Sequence, residues 1–263
     1  MAYISLSKND LNVLQKIKDP ESDPTAAVPV DPSLPRDPHI TDADSYNAVV
    51  AKEREVLLSF QKLEMQLANL QPKTVTDPSA SYQEGVSRLS DIIKEYPNYA
   101  SARNNRAQAL RRLYGDGLLV GDASNQVMIS NPTEEERRDA ARTILDDLDE
   151  AVRLLSPPSP RTPISPQAAK TLSMSYTQRA AVYHATAKKF PQSRTLGGLL
   201  ERRESGWTKM DFEEAAAGDF AKGGWYGNEV AKGLAVSVNP TAKLCGQMVR
   251  EAMKKEYGPA YAA

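Results

Sequence analysis

At 263 residues, with charged side chains at 25%, aromatics at 6% and 18 prolines, the chain can bury a core of one or two domains but lacks the aromatic and β-branched runs of a large sheet. Its 33 basic and 34 acidic residues leave a net charge of -1, which sets nucleic-acid binding aside because that class carries a basic bias. The single Cys245 excludes a disulfide framework and fits a reducing compartment. No apolar run approaches the roughly 20 residues that span a bilayer. The start MAYISLSKND has neither the basic beginning nor the apolar centre of a signal peptide. No membrane contact is expected, and the expected location is the cytoplasm, with the nucleus as the alternative.

Residues 7–18 place Leu11, Leu14 and Ile17 on one face of a short helix, which Asn9 or Asp10 can cap; the segment 1–18 is a candidate amphipathic unit. Between Asp19 and Asp44 six prolines alternate with acidic and small residues. Such a stretch buries too little to offset its ordering entropy, so 19–43 reads as a disordered or extended tether. The leading helix either docks back on the body or binds a partner. A long helix follows over 44–70, where Val49, Val50, Val56, Leu57, Phe60, Leu63, Leu67 and Leu70 keep a near-helical period between charges.

From Tyr82 to Asp116 the sequence predicts a helix, a sharp stop and a second helix. Gly85, Leu89 and Ile92 share one face, and Pro97 beside Asn98 ends the first helix. Ala102, Arg106, Ala107 and Leu110 form the face of the second, and Gly115 closes it. This pattern resembles the tetratricopeptide repeat, a helix–turn–helix unit of about 34 residues. The resemblance puts Ala107 at the small position where two helices press together; a larger side chain there would cost roughly 1–3 kcal/mol.

On that resemblance repeat one runs over 44–97 and repeat two over 98–157. Repeat two departs from the pattern, because residues 117–133 intervene before a helix that starts near Glu134. The insertion reads either as a surface loop or as a strip covering part of a groove. The run Glu134–Glu136 suits the positive end of the helix dipole, and Ile144, Leu148 and Ala151 restore the apolar face. Residues 156–166 form a Pro-rich connector. It reads as a stiff linker, with proline-directed phosphorylation at Ser156, Ser159, Thr162 or Ser165 and docking of its PxxP spacings as alternatives. Repeat three, 166–223, carries Tyr176, Arg179, Ala180 and Tyr183 on its first helix, an insertion at 191–206, then Phe212 and Ala215. In the region 224–263, Asn239-Pro240 starts a helix whose Leu244, Met248 and Val249 or Met253 form an apolar stripe. That stripe is expected to cap the solenoid, whose last repeat otherwise exposes an apolar face.

The predicted fold is therefore an all-α solenoid of about three repeats with long insertions and a C-terminal capping helix. Catalysis is not expected. Only His39 and His184 are available, and there is no HExxH, GxSxG or metal-ligand spacing. The neighbouring acids Asp146-Asp147 and Glu213-Glu214 point roughly 100° apart on a helix and read as solvated faces. No cofactor or metal is expected. In such repeats the concave face is lined by the first helix of each pair. Counting from Ala107, this face presents Ser101, Asn104, Asn105, Gln108, Arg111 and Arg112; counting from Ala180, it presents Met174, Thr177, Gln178, Ala181 and His184. The groove reads as polar and, around Arg111 and Arg112, basic, which suits an extended acidic peptide. The alternative is that both arginines complement the helix end.

The segments NDLNVLQKI, NNRAQALRR and LDDLDEAV, with the tail NPTAKLCGQM, resemble the tetratricopeptide repeat protein 36 family. The resemblance covers both ends and the three repeats, and leaves the tether and both insertions unmatched. It implies a non-enzymatic protein that binds the seventy-kilodalton heat-shock chaperone class and is linked to tyrosine breakdown. Some relatives hold a chaperone's acidic C-terminus with a clamp of Lys, Asn and Arg. Asn105 matches the asparagine, whereas Met174 and Gln178 stand where the cations belong, so binding of that kind of tail is expected to be micromolar or weaker. The expected role is a monomeric adaptor; the alternative is a structural subunit of a stable complex.

Overall fold

The computed structural model describes residues 28–121, 127–191, 196 and 201–257, and its α-helices, the one that starts at Ala100 excepted, begin where the sequence supplies a capping side chain. Asp42 accepts from the Ser45 amide at the start of α1 (Ala43–Leu67), and Asp77 with Pro78 starts α2 (Pro78–Glu95). Next come α3 (Ala100–Tyr114) and α4 (Glu134–Leu155), the latter opened by a reciprocal capping box of Thr133 and Glu136. Ser165 caps α5 (Pro166–Lys189), Thr208 caps α6 (Lys209–Trp225), and Asn228 caps α7 (Glu229–Val238). Asn239 accepts from the amides of Thr241 and Ala242 to open α8 (Pro240–Tyr257), as its pairing with Pro240 predicts. No strand occurs among the described residues, only an isolated parallel bridge between Val30 and Ile164.

Successive helices pack on one another, and α3 also touches α5, giving a solenoid-like array of the pairs α1/α2, α3/α4 and α5/α6. Close approach comes from small residues. Ala100, Ala102, Ala107 and Ala109 of α3 are all buried, and Gly85 of α2 lies against the Phe60 ring of α1. One core runs through the pairs, with Leu63, Tyr82, Leu113, Ile144, Leu148, Tyr183 and Phe212 among its members.

Several expectations are corrected here. Residues 28–42 of the predicted tether are irregular, with a turn at 32–33 and bends through 36–39, but they are held: Asp31 N–H donates to the Ile164 carbonyl at 2.9 Å and Ile164 N–H to that of Pro29 at 3.0 Å. Ser165 Oγ donates to the Arg36 carbonyl, His39 Nε2 lies 2.9 Å from the Leu154 carbonyl, and Asp37 is buried. The rest of the tether and the 7–18 helix lie outside the described residues. The described part of the 117–133 insertion is no surface loop, because Leu118 and Leu119 are buried and the amides of Met128 and Ile129 donate to the Leu113 carbonyl. In the 191–206 insertion, the described Arg203–Gly206 turn buries Glu204 under bonds from Tyr183, Arg202 and Arg203.

The acidic pair at 146–147 is not a solvated face. Asp147 is 1% exposed and accepts from Arg103 and Arg106 of α3, while Asp146 pairs with Arg202. At the C-terminus α7 does the capping, with Ala231 and Val238 packed on Ala180, Ala217 and Phe220. The α8 stripe stays outside, with Leu244, Met248 and Val249 more than half exposed. The sequence makes α8 amphipathic, yet α7 already covers the last apolar face.

Candidate functional site

The inner faces of α1, α3 and α5 form a channel with two cavities. The larger, about 790 Å³, is lined by Leu57, Phe60 and Glu64 of α1, by Asn105, Gln108, Arg111 and Arg112 of α3, and by Met174, Thr177 and Gln178 of α5. Tyr82, Asp116, Val127 and Asn228 complete its wall. The smaller, about 70 Å³, lies about one helical turn along, at Glu53, Ser101 and Thr171, and is covered by Arg36 and Asp37 of the strap over 28–42.

The structure thus brings Asn105, Gln108, Arg111, Arg112, Met174, Thr177 and Gln178 together as the sequence predicts. Ser101 belongs to the smaller cavity instead. Asn104 is buried beneath the floor, where its Oδ1 accepts from Gln178 and Ser175. His184 lies away from both cavities, edge-on to Phe220 of α6. Burial and the neighbouring Lys188 and Lys243 hold its imidazole below the ordinary histidine range.

The expected basic character is absent, because acids that the sequence reading did not place neutralise both arginines. Arg111 grips Asp116 bidentately at 2.6 and 2.9 Å and donates to Gln178. Arg112 does the same to Glu64 at 2.8 and 3.3 Å, and the Tyr82 hydroxyl adds a bond of 2.7 Å to that carboxylate. Burial pushes Glu64 up, but the bonds from Arg112 and Tyr82 outweigh it and hold the group below the usual carboxylate range. A run of hydrogen bonds crosses the floor: Asp116, Arg111, Gln178, Asn104, Asn105, then Glu53, whose other oxygen accepts from Tyr99 at 2.6 Å. Glu53 is buried, and burial raises its carboxyl above the usual range despite these donors. The apolar wall comes from Phe60 stacked on Tyr82 at 4.5 Å, with Leu57, Val127 and Met174.

Glu53, Glu64 and Phe60 were missed because they reach the site from α1. One sign was legible: Glu53 lies four residues after Val49 and three before Val56, inside the apolar stripe. Among the described residues no three His, Cys, Asp or Glu side chains gather in a way that could hold a metal ion, and no helix is long and apolar enough to cross a membrane.

Comparison with family models gives no match, and comparison with solved structures gives none. Among curated proteins, the Tetratricopeptide repeat protein 36 homolog of Drosophila pseudoobscura pseudoobscura is 24% identical over 253 residues, covering 95% of both chains. The L-tyrosine degradation gene cluster protein hmgX of Aspergillus fumigatus is 36% identical over 258 residues, 96% of this chain and 93% of that one. At that identity over nearly the full length of both proteins, the chain belongs to the hmgX family.

Proposed function

We propose that the chain is a non-catalytic adaptor of the tetratricopeptide repeat protein 36 type, holding a segment of a partner protein in the α1–α3–α5 channel. The partner is a protein of tyrosine breakdown. The observation that carries this reading is the 790 Å³ cavity, in which an apolar wall faces a polar floor crossed by a run of hydrogen bonds. Such a surface takes an apolar anchor on one side and fixes its register by polar contacts on the other. The name of the Aspergillus relative supports the metabolic setting, and that of the Drosophila relative the repeat type. A carboxylate-terminated chaperone tail is a poor occupant, since Asn105 already donates to Glu53 and Gln178 to Asn104, and the two places where the clamp needs cations hold Met174 and Gln178. A chaperone of the seventy-kilodalton class would use another face.

The test is affinity purification with mass spectrometry from cells expressing wild type or Gln108→Glu/Met174→Arg, two lining positions outside the ion pairs. The expected result is a discrete partner set that includes enzymes of tyrosine breakdown and is lost in the variant, with unchanged helicity by circular dichroism. The same partners on a folded variant would overturn the channel assignment.

A further inference from the structure

The strap over 28–42 occupies the channel as a ligand would. It follows an irregular path, turning at 32–33 and bending through 36–39, pairs its backbone with Ile164, gives its Arg36 carbonyl to Ser165, and buries Asp37 over the smaller cavity. Its hold is narrow. Within it only Asp37 is fully buried, Ile40 packs partly on the core, and Val30, Arg36 and His39 are exposed. The two cavities meet at the Glu53–Asn105 hydrogen bond of 2.8 Å, so the strap ends where the open part of the channel begins.

The chemistry under the strap is mismatched. Asp37 and Glu53 line the same small cavity, both buried. Glu53 accepts from the neutral donors Tyr99 and Asn105, and Asp37 from the His39 amide; neither forms an ion pair among the described residues. Arg36 lines the cavity too, but its guanidinium lies 5.8 Å over the Tyr46 ring. Two buried carboxylates with no cation between them are unfavourable. Consistently, burial raises the carboxyls of both Asp37 and Glu53.

Resting on the channel reading above, we propose that the strap is a displaceable internal occupant, and that the partner is an extended basic segment that takes its place with a lysine or arginine over Glu53. The partner would then run the length of both cavities, replacing a second acid in the small cavity with a cation that pairs with Glu53.

The experiment locks the strap in the full chain with Val30→Cys/Ile164→Cys in a Cys245→Ser background. Bridge partners lie about 4.8 Å apart, within the span of a disulfide. The probes are fluorescent peptides of residues 28–42, with the native sequence or with Asp37→Lys, followed by fluorescence polarisation. Reduced protein should bind the Asp37→Lys peptide roughly tenfold more tightly than the native one, as a new charge-assisted contact implies. Oxidation should weaken that binding about tenfold or more, and reductant should restore it in the same sample, since a tethered strap competes at millimolar effective concentration. Equal binding in both redox states, equal binding of both peptides, or no binding would overturn the proposal. Partner capture separates the two readings. If the locked protein keeps partners that Gln108→Glu/Met174→Arg loses, the strap is a fixed wall and the channel reading stands. If both keep them, the channel reading fails.

Discussion

Replacing Asp147 with alanine tests how the repeat pairs are held together. Its carboxylate is 1% exposed and accepts from Arg106 at 2.7 and 2.8 Å and from Arg103 at 3.3 Å, joining α4 to α3. Arg106 also donates to Ser90 of α2, so one guanidinium connects three helices. Removing one partner of a buried pair costs about 3–5 kcal/mol, because the other charge stays behind. Both arginine side chains remain 18% exposed, and water reaching them places the expected loss at the lower end, about 3 kcal/mol. For a domain of this size that is a fall in Tm of roughly 6–12 °C. Urea unfolding followed by circular dichroism gives the free energy directly. Removing both charges together, as Arg106→Met/Asp147→Leu, should recover part of the loss, since no uncompensated charge remains inside. A loss below about 1 kcal/mol for Asp147→Ala, or a double variant less stable than the single one, would refute this account.

Gly85→Ala places a Cβ in the Phe60 ring and disturbs its stack on Tyr82. Overpacking of about 1–3 kcal/mol against a helix-propensity gain of about 1 kcal/mol leaves a net loss, and Phe60→Leu should relieve part of it in a double-mutant cycle by urea unfolding. Glu53 has its folded carboxyl raised by burial, so its contribution is present below the unfolded value and is lost as pH rises through the folded one. Relative to wild type, Glu53→Gln should therefore gain stability between pH 4.5 and 7.5; a gap that does not change with pH would count against it. His184 behaves in the opposite sense. Burial, helped by Lys188 and Lys243 and opposed by Glu213, lowers its folded value, so its contribution is lost as pH falls from the ordinary histidine range through that lower value. With two histidines in the chain, an NMR titration resolves it, and a midpoint at or above the ordinary histidine value would contradict this.

What could be read from the sequence was local. The stops at Pro97 and Gly115 and the start at Asn239-Pro240 depend on neighbours a few residues away, and the structure uses each of them. The equally local caps at Asp77 and Ser165 start their helices outside that reading, which opens the first at Tyr82 and keeps Ser165 in the connector. The helix read as 44–70 ends instead at Leu67, where Asn69 turns to positive φ and Leu70 is left exposed. Partnerships across the fold left no local trace. Arg106 and Asp147 are 41 residues apart, Arg112 and Glu64 are 48 apart, and His39 and Leu154 are 115 apart. For the same reason the polar floor of the channel was legible from the 3.6-residue period of α3 and α5, while its charge was not. The strap was misread because its composition buries little; it is held mainly by backbone hydrogen bonds, which any sequence supplies.

Neutralised arginines change what this channel can select. An incoming carboxylate reaching Arg111 or Arg112 has to displace Asp116 or Glu64, each held by two hydrogen bonds, so it gains only the difference between two similar contacts. The acids serve as built-in competitors and discriminate against acidic segments. Glu53 has no such internal cation, and beside it the strap supplies another acid. A basic residue therefore meets an unmatched buried charge at one end of the channel, while an apolar side chain meets the open Phe60–Tyr82 wall at the other. On the proposed channel reading, selectivity for a segment with those two features, about one helical turn apart along the channel, would follow from where the charges are already satisfied and where they are not.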